Sequence, residues 1–235
     1  MQLPLLFSAL AASANAHYFF SQLLINGQPT GRDFTYIRKI STNPPYNPAF
    51  PDMLARKEYR CNNGANLGTG TQTISIAAGT KIGARLGQNN YMGHPGPGFI
   101  MMSKASSNAS SYDGSGDWFK IWESGLKPGG QTNHDNAWET YGKKQMEATI
   151  PATTPPGEYL VRFEHVGIHE NHKNKSQMYF ECAQVKVTGA GGGTPGPMFK
   201  IPGVITASSP MITFSKWGPA KSTFPMPAPA VWTGQ

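Results

Sequence analysis

The 235-residue chain has the length of a single β domain, and its composition argues against a helical protein, since Gly (27) and Pro (20) are abundant and both residues disfavour helix interiors while serving turns. The formal net charge of +7 raises the question of a nucleic-acid partner. The Lys and Arg residues are scattered, however, with no dense basic run and no recognition helix. We therefore expect no nucleic-acid partner, and attribute the basic surface to solubility at acidic pH or weak attraction to acidic wall material.

Residues 1–16, MQLPLLFSALAASANA, are typical of a secretory signal: an apolar centre is followed by small residues that end in Ala14-x-Ala16. The apolar run is shorter than the roughly 20 residues that cross a bilayer. The alternative is an apolar first strand of a cytosolic protein, although no Lys or Arg interrupts residues 1–16. We expect a secreted, monomeric protein without a membrane partner, in which residues 17–235 form one domain that begins at His17.

Short extended segments, separated by Gly, Pro, Asn and Ser, dominate the rest of the chain. A spacing of two between apolar residues indicates strands, as in Ile74 and Ile76, and the pair Asn26-Gly27 is a strong turn signal. The predicted strands lie, in chain order, in HYFFSQLLING, TQTISIAAGTKIGARLG (two strands around Gly79), GFIMMSKA, DWFKIWESG, GEYLVRFEHVGIH and SQMYFECAQVKVTG. This pattern predicts an all-β, antiparallel sandwich with long loops.

Two other segments do not fit a strand. Only PDMLARKEYRCNNG has a helical character, and the helix would be short. After Val187 the chain becomes rich in Gly and then in Pro, with too little apolar sequence for a core of its own. We expect this C-terminal segment to be an extended tail that lies over the domain.

The two cysteines, Cys61 and Cys182, lie far apart in a chain that we take to be exported. In an oxidising compartment they should form a disulfide that closes a long loop. Two thiols are too few to indicate a zinc site.

A terminal His17 would place an imidazole beside a free α-amine. The amine has a pKa near 8, so a metal can displace its proton, and amine and ring together form a chelate. His94, in the tight loop YMGHPGPGF, could supply a third nitrogen, although a histidine in such a turn is more often a solvated surface residue. Three nitrogens with open positions favour copper.

The strand KSQMYFECAQV adds a geometric expectation, because side chains alternate between faces. Gln177 and Tyr179 should point to one face, and Met178, Phe180 and Cys182 to the other. A phenol beside an amide suits an axial metal ligand with a hydrogen-bonding partner. The alternative is a tyrosine that is simply packed in the strand.

The same alternation in YLVRFEHVGIH places His165 and His169 on one face. One of them could hydrogen-bond into the site, and the other would be a satisfied interior histidine. The alternation does not decide between them.

These motifs together resemble one family, the fungal copper-dependent lytic polysaccharide monooxygenases of auxiliary activity family nine. The resemblance extends from His17 to Trp232. It depends on the order and combination of His17 after the signal, GHPGPG with His94, GSGDWFKIWESG, ATIPATTPPGEYLVRFEH, RFEHVGIH, QMYFECAQV and the closing FPMPAPAVW.

The resemblance implies a fold, a cofactor and roles for named residues. The fold would be an immunoglobulin-like or fibronectin-like sandwich with a flat face around one copper ion. His17 and His94 would form a histidine brace with Tyr179 as the axial group, while His169 and Gln177 would hydrogen-bond near the oxygen-binding face. Dioxygen or hydrogen peroxide would be the co-substrate, an external donor would supply electrons, and cellulose or a related β-1,4-glucan would be the substrate.

Five further residues carry expectations, three of them through this resemblance. Trp217 roughly aligns with a surface aromatic that family members use to stack on sugars. Cys61 and Cys182 match the family's common disulfide, whereas a second disulfide found in many members is absent here. Two glycosylation sequons begin at Asn108 and Asn174, and a glycan at Asn174, close to the expected site, could obstruct an extended substrate.

Other classes of function remain open. A non-catalytic secreted protein could use the same brace to bind copper. A conventional glycosidase needs two carboxylates across a cleft, and no paired acidic motif stands out among Glu158, Glu164, Glu170 and Glu181. A carbohydrate-binding module without chemistry would explain the aromatic residues Trp118, Trp122, Trp138 and Trp217, yet most of these are better explained as core residues.

Overall fold

The computed structural model describes residues 17–235, so the predicted signal lies outside the described residues. Within these described residues, nine strands form two sheets, of order β2-β1-β4-β7 and β3-β9-β8-β5-β6. The strands are β1 (Phe20–Ile25), β2 (Gln28–Thr30), β3 (Ile74–Ala77), β4 (Lys81–Leu86), β5 (Gly98–Lys104), β6 (Trp118–Ser124), β7 (Gln145–Thr149), β8 (Gly157–Gly167) and β9 (Gln177–Thr188).

The two sheets pack face to face through the apolar residues that alternate along each strand. From the five-stranded sheet, Ile100 of β5, Val161 of β8 and Val185 of β9 enter this core, and they meet Leu23 of β1 and Ile82 of β4 from the other sheet. The predicted β-sandwich is therefore confirmed.

Three details of the sheets differ from the expectation. The strand β7 was not predicted, because QMEAT has only two buried positions. The pairing of β3 with β9 is parallel, whereas all the other strand pairings are antiparallel among the described residues. The two strands around Gly79 belong to different sheets, so this turn crosses the sandwich instead of closing a hairpin.

A second apolar cluster covers the outer face of the five-stranded sheet. Phe180 and Met178 of β9 contribute to it, together with Leu54 of the long loop after β2 and Ile212 of the C-terminal tail. This cover explains why β8 and β9 are buried on both faces. The predicted disulfide between Cys61 and Cys182 is present and ties the long loop to β9.

Helical structure is limited to short turns. The predicted short helix is a pair of 3₁₀ turns, Pro51–Ala55 and Lys57–Tyr59. The residues after β9 contain one helical turn, Pro210–Thr213, and otherwise follow the surface of the sandwich. Between residues 17 and 235 no helix has the length and apolar character needed to span a membrane.

The tail is held by specific contacts near its end. The Trp232 amide donates to the Lys120 carbonyl (2.8 Å), and the Lys120 ammonium donates to the Pro227 carbonyl (2.8 Å). Trp232 is buried and packs edge-on against Phe119. The described tail therefore lies over the sandwich, as expected.

Candidate metal centre

His17 and His94 lie together at one end of the sandwich, with ring centroids 5.7 Å apart. Asn90 fixes the first of them, because its side-chain amide donates to the His17 carbonyl (2.7 Å). His94 is only 8% exposed, and its Nε2 atom is buried without a hydrogen-bond partner among the described residues. A buried, unpartnered nitrogen is costly unless it binds something.

The loop that carries His94 is fastened to the end of β8. The Ile168 amide donates to the Pro95 carbonyl (2.9 Å), and the Val166 amide donates to the Pro97 carbonyl (3.0 Å). Gly96 lies between these bonds, where a Cβ atom would stand 1.8 Å from the Val166 carbonyl oxygen. Only glycine permits this approach, so GHPGPG sets the position of the His94 ring.

Tyr179 and Gln177 lie on the same face of β9, as their spacing predicted. The Tyr179 hydroxyl donates to Gln177 Oε1 (2.7 Å), and the tyrosine ring centroid is 6.3 Å from that of His17 and 6.0 Å from that of His94. Burial raises the pKa of Tyr179, so the phenol stays protonated. With its proton directed to Gln177, the phenol oxygen keeps its lone pairs for another partner.

His169 stacks on His94 in a nearly parallel arrangement, with centroids 4.1 Å apart and planes 12° apart. Gly167 makes room for this pair, since a Cβ atom there would lie 3.0 Å from His94 Cβ and 3.4 Å from His169 Nδ1. Among the described residues, His169 Nδ1 is also buried without a partner.

Both stacked histidines are poorly basic. Burial, with the nearby His169, His165 and His17, lowers the pKa of His94 to about 3. Burial is also the main reason that the pKa of His169 is lowered. The His94 imidazole therefore remains neutral in mildly acidic solution, and a neutral imidazole is the form that can bind a metal.

His165 is the interior histidine of the alternating pair. It is fully buried, with Nδ1 2.6 Å from the Tyr18 hydroxyl and Nε2 3.1 Å from the Thr140 hydroxyl. Tyr18 in turn stacks on Tyr179, with centroids 4.1 Å apart. His165 is therefore the satisfied interior histidine, and His169 is the one that lies in the site.

Tyr18, Asn90 and Gly167 support the site, yet the sequence reasoning did not find them. Tyr18 was visible only as part of an aromatic start, HYFF, and nothing in the sequence paired it with His165. Asn90 precedes the GHPGPG loop, but its hydrogen bond to the His17 carbonyl depends on how β1 and β4 pair. Only the glycine in HVGIH was a local signal that could have indicated close packing.

Trp217 lies beside the histidine pair at the surface. It is 58% exposed, and its indole Nε1 donates to the His169 carbonyl (2.7 Å). This bond places an exposed aromatic ring at the edge of the site. The asparagines of both predicted glycosylation sequons are exposed. Asn174 lies in the loop between β8 and β9, and Asn108 lies in the loop after β5.

The donor set fits a metal only if the chain begins at His17. Within residues 17–235, no group of three or more His, Cys, Asp or Glu side chains is arranged to hold an ion. Two imidazoles and a free α-amine would complete three nitrogen donors, beside the phenol of Tyr179. Such a nitrogen-rich set with open positions suits copper better than calcium, magnesium or a structural zinc.

The described residues thus define a class of protein: a β-sandwich in which two histidines and a tyrosine lie together at one end as candidate metal ligands. Within this class, residues 17–224 match the model of Auxiliary Activity family 9 (formerly GH61), and the chain belongs to that family.

Comparison with individual proteins gives the same result. The chain is 44% identical to AA9 family lytic polysaccharide monooxygenase D of Emericella nidulans, over 100% of this chain and 84% of that protein. It is also 44% identical to AA9 family lytic polysaccharide monooxygenase A of Aspergillus fumigatus, over 100% of this chain and 83% of that protein.

Solved structures agree with the fold. A cellulose-active polysaccharide monooxygenase from M. thermophila superposes with a TM-score of 0.77 at 30% identity, covering 93% of this chain and 100% of that one. The extended catalytic domain of a lytic polysaccharide monooxygenase from H. jecorina has a TM-score of 0.80 at 18% identity, covering 93% and 94%, and supports the fold alone.

Proposed function

We propose that this protein is a secreted, copper-dependent lytic polysaccharide monooxygenase that oxidatively cleaves β-1,4-linked glucan, cellulose foremost. The observation that carries the proposal is the buried, unpartnered Nε2 of His94 beside His17 and the Tyr179 phenol, in a member of Auxiliary Activity family 9. Membership of the family supports oxidative cleavage of a polysaccharide. The ligand set and the glucan are our inference from this chain's residues.

In this proposal His17, through its amine and ring, His94 and the Tyr179 phenol would hold one copper ion. Copper, when bound, would supply the one-electron redox chemistry that activates dioxygen or hydrogen peroxide, with electrons from an external donor. The ligands are held before the ion arrives: Asn90 fixes the His17 backbone, and the loop around Gly96 fixes His94. Such preorganisation reduces the cost of assembling the site.

The surrounding residues would orient the co-substrate and the substrate. The Tyr179 hydroxyl donates its proton to Gln177 Oε1, so the phenol oxygen would face a bound ion as a neutral ligand. His169 stacks against His94 and can offer a ring nitrogen to a small oxygen species. Trp217 would stack on a sugar ring of the glucan, because its ring is exposed and anchored beside His169.

The direct test is cleavage by the correctly processed protein. Copper-loaded protein that begins at His17 should, with ascorbate and oxygen, release oxidised oligosaccharides from cellulose, as detected by mass spectrometry. Protein stripped of copper is the control and should release none. Absence of oxidised products from cellulose, xyloglucan, xylan and chitin alike would exclude the catalytic proposal.

The alternative is a non-catalytic copper-binding protein with the same brace. The hydrogen-bonded Tyr179 and Gln177 and the stacked His169 favour the enzyme, since sequestration requires only the nitrogen donors. Reduced copper protein should produce hydrogen peroxide in the absence of glucan if the site is oxidase-competent. A protein that binds copper tightly but produces neither peroxide nor oxidised sugars would support the alternative.

A further inference from the structure

A polar surface cleft lies beside the proposed copper site, between the β6–β7 loop and the C-terminal tail. Residues 133–136, with the sequence NHDN, form one side, and Lys216 and Trp217 form the other, with Tyr141 between them. The cleft adjoins the site because Trp217 is bonded to the His169 carbonyl.

The two sides of the cleft are tied together. The Thr132 amide donates to the Lys221 carbonyl (2.9 Å), and the Lys221 amide donates back to the Thr132 hydroxyl (3.3 Å). Lys216, which is almost fully buried, forms an ion pair with Asp135 across the gap. The cleft is therefore built by fixed tertiary contacts between two distant parts of the chain.

Trp217 gives the cleft an aromatic wall. The Lys216 ammonium lies 4.9 Å from the centroid of the Trp217 ring, and His172 packs edge-on against the same ring (6.1 Å, 78°). These contacts hold the indole in place while it stays largely exposed. A rigid exposed indole can cover the apolar C–H face of a pyranose.

The opposite wall offers unused hydrogen-bonding groups. The side chains of Asn133, His134 and Asn136 are exposed and bond to no other described residue. Amide and imidazole groups can both donate to and accept from hydroxyl groups. Lys216 and Asp135 neutralise one another, so the pair adds no net charge. The combination fits a neutral ring with several hydroxyl groups better than an anion.

We propose that this cleft binds a neutral pyranose side branch of a β-1,4-glucan whose backbone lies across the proposed copper site. The inference rests on the proposed function and extends it to the choice of substrate. An unbranched chain on a flat surface has no ring that projects into a recess, whereas a branch sugar projects sideways from the backbone. The cleft would therefore favour branched over unbranched glucan.

Binding to copper-loaded protein, kept without a reductant so that no turnover occurs, tests this proposal independently of activity. Titration calorimetry should compare a xyloglucan heptasaccharide with cellotetraose, which has the same backbone of glucose units without branches. We expect the branched ligand to bind roughly five- to tenfold more tightly, as one or two additional hydrogen bonds would provide. Equal affinity for the two ligands would overturn the proposal.

The double variant Asn133→Ala/Asn136→Ala removes the polar wall without touching the proposed copper ligands. It should lose the preference for the branched ligand and keep its affinity for cellotetraose. The matched control Gln28→Ala, an exposed amide on β2 outside the cleft, should retain the preference. If the double variant still binds the branched ligand more tightly than cellotetraose, the proposal is also overturned.

Failure of this inference is distinguishable from failure of the proposed function. If copper-loaded protein cleaves unbranched cellulose but shows no preference between the ligands, only the cleft proposal is wrong. If the branched ligand binds preferentially but no oxidised product forms from any glucan, the cleft proposal stands and the proposed cleavage fails.

Discussion

His94 shows how one residue depends on its surroundings for a chemical role. Alone, a histidine between glycines and prolines would be solvated and would titrate normally. Here its Nε2 is buried without a partner, and burial lowers its pKa to about 3. A neutral ring with an unused nitrogen is ready to bind a metal without first losing a proton.

The first prediction concerns this ligand. His94→Ala removes one of three proposed nitrogen donors, so affinity for Cu(II) should fall by at least about 100-fold, more than the loss of a supporting hydrogen bond costs. Titration calorimetry of the protein beginning at His17 measures it. His134→Ala, at an exposed histidine of the β6–β7 loop, should bind copper normally. Unchanged affinity in His94→Ala would exclude His94 as a ligand.

The second prediction concerns the phenol of Tyr179, a proposed copper ligand. Tyr179→Phe should keep copper bound but change its electron paramagnetic resonance spectrum and lower turnover, because the oxygen beside the ion is removed. Loss of the bond to Gln177 should also cost about 1 kcal/mol of stability. Tyr159→Phe is a matched control, since that buried hydroxyl bonds to the Pro155 carbonyl away from the site. An unaltered spectrum in Tyr179→Phe would show that the phenol is not axial.

At the scale of elements, β8 and β9 connect the site to the rest of the fold. Their outer face carries charge as well as apolar residues: Arg162 and Glu164 form a fully buried ion pair (2.5 Å and 3.0 Å). The Tyr59 hydroxyl donates to Glu164 (2.8 Å), and Arg162 donates to the Tyr59 and Arg60 carbonyls. This network holds the long loop against β8 beside the disulfide.

Breaking the pair should strongly destabilise the protein. Arg162→Met leaves the Glu164 carboxylate buried without its cation, and we expect a loss of roughly 3–5 kcal/mol in the free energy of unfolding. Denaturant unfolding followed by fluorescence measures the change. The double variant Arg162→Met/Glu164→Gln should recover part of the loss, because no charge is then stranded.

A surface pair provides the comparison. Arg56 and Glu58 form an exposed contact of 3.4 Å, and Arg56→Met should change stability by less than about 1 kcal/mol. If Arg162→Met lowered the free energy of unfolding by no more than this control does, the buried network would not be what holds the loop to β8.

At the scale of the whole molecule, the proposed site brings His17, the first described residue, together with three segments that are distant in sequence. His17 begins the described chain, His94 precedes β5, His169 follows β8, and Tyr179 lies in β9. They meet because β1 pairs with β4 in one sheet, while β5, β8 and β9 are neighbours in the other. The site therefore exists only when both sheets are packed together.

The last prediction follows from the position of His17 at the proposed N-terminus. Protein that retains one extra residue before His17 has an amide in place of the free amine, so copper affinity should drop sharply while the fold persists. Circular dichroism checks the fold, and calorimetry with electron paramagnetic resonance checks the metal. Equal affinity and an identical spectrum in both forms would remove the amine from the ligand set.

The sequence by itself determined most of the strands, the two faces of β9 and the cysteine pair. These features depend on local alternation and on there being only two cysteines, and neither requires knowledge of long-range packing. It also indicated His17, His94, Tyr179 and Gln177 as a set, through their spacing and a resemblance to one family. It did not predict β7, whose short pattern is weakly apolar.

Only the tertiary structure decided which histidine is interior and which faces the site, because His165 and His169 share one alternation and differ only in what packs against them. The bond from Tyr18 to His165, the support of His17 by Asn90 and the space that Gly167 leaves are likewise contacts between segments far apart in the chain. So is the cleft between the β6–β7 loop and the tail. Such contacts depend on how two sheets and a long tail pack together, and no local pattern of residues encodes that packing.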